Sequence, residues 1–164
     1  MLFGQSSRVW KPAVYRGLVM GESSREDVLQ KLGTPQYEGR EQDTGVPIMS
    51  YSVTDPEPGE LAVYIRNRVL RGMTLTPARP PKKTELIRKL GSDFLNVHYS
   101  FDECLSEGGT APLYQDPNGR FERIEYRSRG LSLIIDNDEV QAIVFAGPPF
   151  PATKSRCLPD TRSK

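Results

Sequence analysis

The sequence predicts an α+β protein built as a tandem repeat, each unit being one helix followed by an antiparallel β-sheet. Three observations carry this expectation. Segment 17–35 reads as a turn, a short capped helix and a hard stop. That helix pattern returns in 84–91, where Val28, Leu29, Lys31, Leu32 and Gly33 map onto Leu86, Ile87, Lys89, Leu90 and Gly91 at constant spacing. The strands behind it return as well. Residues 61–67 line up with 131–137, and one turn residue later Val69 meets Val140 and Met73 meets Val144.

The first helix has its own start and stop signals. Ser23 with Glu26 forms a capping-box pair, and Ser24 with Asp27 offers the same one residue on. Val28, Leu29 and Leu32 set a narrow apolar stripe. Gly33 suits the turn after the last residue and Pro35 prevents continuation. Ahead of it, 1–14 reads as an extended, flexible lead-in and 15–19 as a short strand or packing segment. Behind it, 36–46 reads as a loop or edge hairpin. Residues 48–53 form a strand with Met49, Tyr51 and Val53 on one side. A turn at 55–59 leads into a hairpin of 60–65 with 69–75 across Arg66, Asn67 and Arg68.

The first unit thus covers 15–76, and the proline- and lysine-bearing stretch 77–83 is a linker. The second unit covers 84–147: a helix, a strand over 94–101, an inserted loop over 102–119, a strand over 121–127, and a hairpin of 131–135 with 140–145. The tail 152–164 is expected to be flexible.

Composition bounds the function. A chain of 164 residues accommodates one domain or two small modules, and 37% hydrophobic with 26% charged residues describes a globular fold, not a disordered chain. A net charge of +1 gives no general attraction to nucleic acid or anionic lipid, so no nucleic-acid partner is expected. No apolar run approaches the length of a transmembrane segment. Residues 1–7 are too short for a signal peptide and read either as the remnant of one or as a cytoplasmic start. Cys104 and Cys157 are two free thiols or, in an oxidising compartment, a disulfide tying the tail to the inserted loop.

The pattern Gly21, Glu26, Val28, Leu32, Gly33, Pro35, then Tyr51, then Leu61, Val63 and Ile65 resembles one family. It is similar to the outer-membrane assembly lipoproteins of SmpA/OmlA (BamE-like) type and, more widely, to the fold of the beta-lactamase inhibitory protein. The resemblance covers roughly 15–146, and the second copy departs from it at Ser92 and Asp93, where the first has Thr34 and Pro35. The resemblance implies two modules joined in one continuous concave sheet, a bacterial periplasmic or cell-envelope setting with a cytoplasmic one as the alternative, and a protein partner. It speaks to fold more than to task.

No catalytic constellation is legible. His98 is the single histidine and sits in apolar strand context, where a structural role outweighs that of a general base. Nucleophile-elbow glycines, a phosphate-binding loop, HExxH and paired CxxC are all absent. Asp136, Asn137, Asp138 and Glu139 read as a solvated turn, lacking the glycine and distant glutamate of a calcium loop. The chain is therefore expected to be non-enzymatic, with no metal and no cofactor.

The sheet faces are more informative. With Ile65 opposite Val69, the residues Leu61, Val63, Ile65, Val69 and Met73 meet the helix, as do Leu131, Leu133, Ile135, Val140 and Val144 in the second copy. The other face then carries Tyr64, Leu70, Ile134, Ile143 and Phe145 with Ala62, Arg66, Ser132 and Gln141. Such an apolar face is either covered by the other unit or is a partner-binding surface anchored by Tyr64, Arg66, Arg68, Leu70, Ile134, Ile143 and Phe145. A second reading is a small-ligand or lipid pocket beside 102–119, lined by Tyr99, Tyr114 and Tyr126. The hairpin turns differ in sign, with Arg66, Arg68 and Arg71 in one and Asp136, Asp138 and Glu139 in the other. They are two solvated turns or they pair within one chain or between two, which leaves a homo-oligomer open.

Overall fold

The computed structural model describes residues 9–42, 45–97 and 121–146. A two-stranded hairpin, β1 (Val14–Tyr15) and β2 (Leu18–Val19), precedes α1 (Arg25–Leu32). Four strands follow: β3 (Tyr37–Arg40), β4 (Pro47–Val53), β5 (Gly59–Arg66) and β6 (Val69–Pro77). Then come α2 (Lys83–Leu90), β7 (Leu95–Val97), β8 (Phe121–Tyr126), β9 (Leu131–Asp136) and β10 (Glu139–Ala146). Strands β3 to β10 form one eight-stranded antiparallel sheet in the order β3-β4-β5-β6-β10-β9-β8-β7. The two helices and the β1–β2 hairpin supply the rest of the core against one face. The chain is mostly β, as two short helices against that sheet imply.

Helix α1 starts at Ser24, whose hydroxyl accepts from the Asp27 amide while the Asp27 carboxylate accepts from the Ser24 amide at 2.7 Å. Ser23, the other candidate cap, instead accepts from the Val19 amide at 2.9 Å, which closes the preceding turn. Helix α2 has no side-chain cap; its N-cap is Lys82, one backbone step from Glu139 of β10. Both helices end on glycines, Gly33 (φ 80) and Gly91 (φ 95), whose backbone angles only glycine holds without strain.

The same contacts recur in each half. The Tyr51 hydroxyl donates to the Gly33 carbonyl at 3.2 Å and the Tyr126 hydroxyl to the Gly91 carbonyl at 2.8 Å. Each helix N-terminus is stitched to the first residues of the fourth strand behind it. The Leu70 amide donates to Ser23 and the Val140 amide to Pro81, while the Arg25 and Lys83 amides donate to Arg68 and Asp138. Both hairpins turn on two residues with positive φ, Asn67-Arg68 and Asn137-Asp138.

These two-residue turns correct the expected faces. Ile65 pairs with Leu70, not Val69, and Ile135 pairs with Val140. A bulge then skips Arg71 in β6 and Gln141 in β10, so Met73 faces Val63 and Ile143 faces Leu133. Leu70, Ile143 and Phe145 therefore point to the helix side, where they are 0%, 1% and 4% exposed, instead of lining the opposite face. Val69 and Val144, expected on the helix side, lie on the other face, opposite Arg66 and Ser132. One inserted residue reverses every side chain beyond it.

The seam between the halves is β6 against β10, with Leu75 opposite Ile143 and Met73 opposite Phe145. All four side chains are buried, and each contributes roughly 1.5–3 kcal/mol relative to exposure. Val28 of α1 and Leu86 of α2 seal the two halves of the helix side.

Two segment boundaries shift. The expected linker 77–83 shortens, because Pro77 closes β6 opposite Gly59 and α2 already starts at Lys83. What remains is tied down through Ala78 to Pro58 and Val140 to Pro81. The expected flexible lead-in 1–14 is docked from Lys11, whose amide donates to Arg127, while Ala13 donates to Ala146 and is fully buried. Gly130 makes room for it: a side chain there would collide with Lys11 and Ala13, and its φ of 64° suits glycine. Residues 36–46, read as a loop or edge hairpin, hold the edge strand β3.

Replacing Tyr51 or Tyr126 by Phe is expected to cost about 1 kcal/mol each, read from urea unfolding at neutral pH. Burial raises both phenol pKa values above 10.0, so this stability is intact below that pH and is lost as pH climbs through the folded values. A Tyr51→Phe/Tyr126→Phe variant should accordingly show a flatter alkaline limb. The Asp27 carboxylate, by contrast, is held below 3.8 chiefly by the Ser24 amide. Its contribution is present above that value and vanishes as pH falls through the folded one. Asp27→Asn should lower the unfolding midpoint at neutral pH, with the gap to wild type closing in acid.

Candidate sheet-face docking site

The face opposite the helices is set by alternation along each strand. It carries Ile48 and Ser50 from β4, Ala62, Tyr64 and Arg66 from β5, and Gly72 and Thr74 from β6. Across the seam it continues with Ala142, Val144 and Ala146 from β10 and Ser132 and Ile134 from β9. Small side chains dominate the seam: Thr74 lies beside Val144 and Gly72 beside Ala146. A side chain on Gly72 would press to 3.0 Å of the Phe145 carbonyl, so that position stays bare backbone. Larger groups rise at the margins, Tyr64 and Ile48 on one side and Ile134 with Arg123 on the other.

Exposure divides this face. In β5 burial alternates cleanly, with Ala62 and Tyr64 half-exposed and Arg66 exposed between buried core positions. In β9 five consecutive residues from Leu131 to Ile135 are buried, so both of its faces are closed. Ser132 is 0% and Ile134 8% exposed on the side away from the helices. The accessible area therefore lies over β3 to β6 and reaches the seam. Tyr37 extends it on the edge strand, paired with Ser50 and lying over Gly39, where a side chain would collide with its ring.

A charged cluster sits on the closed part. Glu125 is 7% exposed and lies between Arg127 Nε at 2.8 Å and Arg123 Nε at 3.1 Å. Arg123 also donates to the Ser132 hydroxyl at 3.1 Å. Two guanidinium groups flank this carboxylate, and the pairing offsets the cost of keeping it from water.

The oppositely charged turns each pair with their own helix. Arg68 reaches Glu26 of α1 at 2.6 Å, and Glu139 reaches Lys82 at the start of α2 at 2.9 Å. The Glu26 carboxyl is lowered by that hydrogen bond and the Lys82 ammonium is raised by its own. Lys82 and Lys83 sit where the helix dipole disfavours cations, and Glu139 and Glu122 answer them at 2.9 and 2.5 Å. These surface pairs are intramolecular and screened by salt, so each contributes little to stability.

Of the expected partner-binding residues, Tyr64 and Arg66 share the accessible face and Arg68 occupies the adjacent turn, paired with Glu26. Ile134 points to that side but is buried, while Leu70 belongs to the core through the two-residue turn and Ile143 and Phe145 through the bulge at Gln141. Tyr126, expected in a ligand pocket, is 1% exposed and anchors the end of α2. Tyr99, Tyr114, His98, Cys104, Cys157 and the inserted loop lie outside the described residues. Sequence reasoning missed Tyr37, because a strand over 37–40 carries no apolar alternation of its own, and Ile48, whose place beside Met49 in the expected strand was the available signal. It also missed Arg123, Glu125 and Arg127, whose polar-apolar alternation with Ile124 and Tyr126 was the available signal. Among the described residues no group of three or more His, Cys, Asp or Glu converges as metal ligands, and no helix is long and apolar enough to cross a membrane. Comparison with protein-family models, curated proteins and solved structures finds no match to this chain.

Proposed function

We propose that this chain is a non-enzymatic protein-binding protein that docks its partner on the sheet face opposite the helices, over β4 to β6 and up to the seam. The observation that carries this reading is the half-exposed strip of Ala62, Gly72 and Thr74 flanked by Tyr64, Ile48 and Tyr37 and rimmed by Arg66. A floor of small residues with aromatic and arginine anchors at its border suits a protruding partner segment, since buried aromatic and arginine side chains supply most interface energy. The rim cation makes encounter sensitive to salt.

The architecture we assign beneath it is a tandem duplication of one helix and four strands, of the type found in the beta-lactamase inhibitory protein and the SmpA/OmlA lipoproteins. The matching tyrosine-to-glycine hydrogen bonds, matching turns and matching bulges in the two halves support that assignment. The resemblance in the first helix and hairpin supports a bacterial cell-envelope setting.

A pull-down from native extract tests the docking face, using the intact protein, Tyr64→Ala/Arg66→Ala, and Glu85→Ala on the exposed side of α2. A partner retained by the first and third and weakened about tenfold or more by the double variant is the expected result. Equal capture by all three removes this face from the function.

A further inference from the structure

A second site lies on the opposite side of the molecule. A cleft with a cavity volume of about 500 Å³ opens between the β1–β2 hairpin, the turn at Asp55 and Pro56, the end of α2 and the 3-10 turn at Arg127–Arg129. That volume falls within the range of small-molecule sites, roughly 300–1,000 Å³. Its floor is apolar and rigid: Tyr15, Leu131, Ile143 and Phe145 are each at most 6% exposed, with the Tyr15 and Phe145 rings packed edge to face at 5.2 Å. Val14 stands in its wall at 58% exposure, an apolar side chain the core leaves uncovered.

The rim is cationic. Lys11, Arg16 and Arg129 line the opening, against Asp55 as the one carboxylate among the described residues that line it. Two of the three cations are held in place by neighbouring rings, Arg16 at 5.3 Å from the Tyr15 centroid and Arg129 at 6.0 Å from that of Tyr126. Arg129 uses one of its five N–H groups on the Leu90 carbonyl at 3.1 Å, which fixes the guanidinium and leaves other donors available. Ser128, also in the lining, is occupied with Asp93 at 3.3 Å. Three cations, two of them held by rings, above an apolar floor select a ligand with one anionic head and an apolar body.

We propose that this cleft binds a small amphipathic carboxylate, a fatty-acid-like anion whose head meets Lys11, Arg16 and Arg129 and whose aliphatic chain lies on Tyr15, Ile143 and Phe145. The fit rests on both halves of the ligand. A bare anion gains nothing from the floor, and a cationic amphiphile of the same length meets repulsion at the rim. The proposal stands apart from the sheet-face reading, because the cleft is on the helix side.

Titration calorimetry of the full chain with decanoate, decyltrimethylammonium and acetate tests it. Decanoate should bind saturably at one site, with the cationic amphiphile at least about tenfold weaker and acetate silent. Lys11→Ala/Arg16→Ala, which removes two exposed side chains outside the core, should weaken decanoate about tenfold or more, and Ser128→Phe, which fills the cleft, should abolish it. Unfolding midpoints of both variants are measured alongside, and if Ser128→Phe does not fold the double variant decides. No saturable binding of decanoate, equal binding of the cationic amphiphile, or affinity unchanged in the folded double variant would each overturn the proposal.

Discussion

The rest of the structure depends on the antiparallel pairing of β6 with β10. Each half alone is a four-stranded sheet with one small helix, a helix of eight residues that propensity alone does not stabilise. Joining the halves edge to edge removes two exposed strand edges and merges two shallow apolar layers into one core. The side chains at the seam explain why these two edges meet. Met73 and Leu75 face Phe145 and Ile143 on the buried side, while the other side carries only Gly72, Thr74, Val144 and Ala146. The pairing is anchored from one face and left low on the other.

That asymmetry follows from the bulges at Arg71 and Gln141. A two-residue turn places Leu70 opposite Ile65, and without an extra residue Met73 and Leu75 would point away from the helices. The bulge restores them to the core, at the cost of one unpaired position that carries a charged or polar side chain. The same device in both hairpins lets the sheet stay apolar on the helix side along its whole width. The opposite face inherits tyrosine and arginine from β5 and small residues from β6 and β10.

Much of this was legible in the sequence where one signal decided the outcome. The start and stop of α1, the strand bearing Met49, Tyr51 and Val53, and the two long hairpins all followed from capping residues and period-two alternation. The faces were legible only up to the turns. Asn67 begins a two-residue turn, and reading that turn as longer misplaced Leu70 and Val69, while the bulge at Gln141, which no residue signals, misplaced Ile143, Val144 and Phe145. Asparagine's tolerance of positive φ was the signal to weigh. The docking face was half legible: Tyr64 and Arg66 were on it, but Tyr37 sits in a strand whose residues Glu38, Gly39 and Arg40 give no periodic cue. The closure of β9 on both sides was not legible, because an unbroken apolar run reads the same for either arrangement.

The docking of the N-terminal segment joins the two ends of the described fold. The Ala13 amide bonds to Ala146, the last residue of β10, and the Gly21 amide bonds to Leu70 at the other half. Residues ahead of α1 thus find their partners in a strand far along the chain. During vectorial synthesis Ala13 and Tyr15 complete their burial only once β10 emerges. This contact closes a long loop and carries the entropic cost that non-local pairing implies. The segment works as a latch across the seam: the stretch ahead of α1 is bonded to β10 in one half and to β6 in the other, so releasing it uncovers core in both.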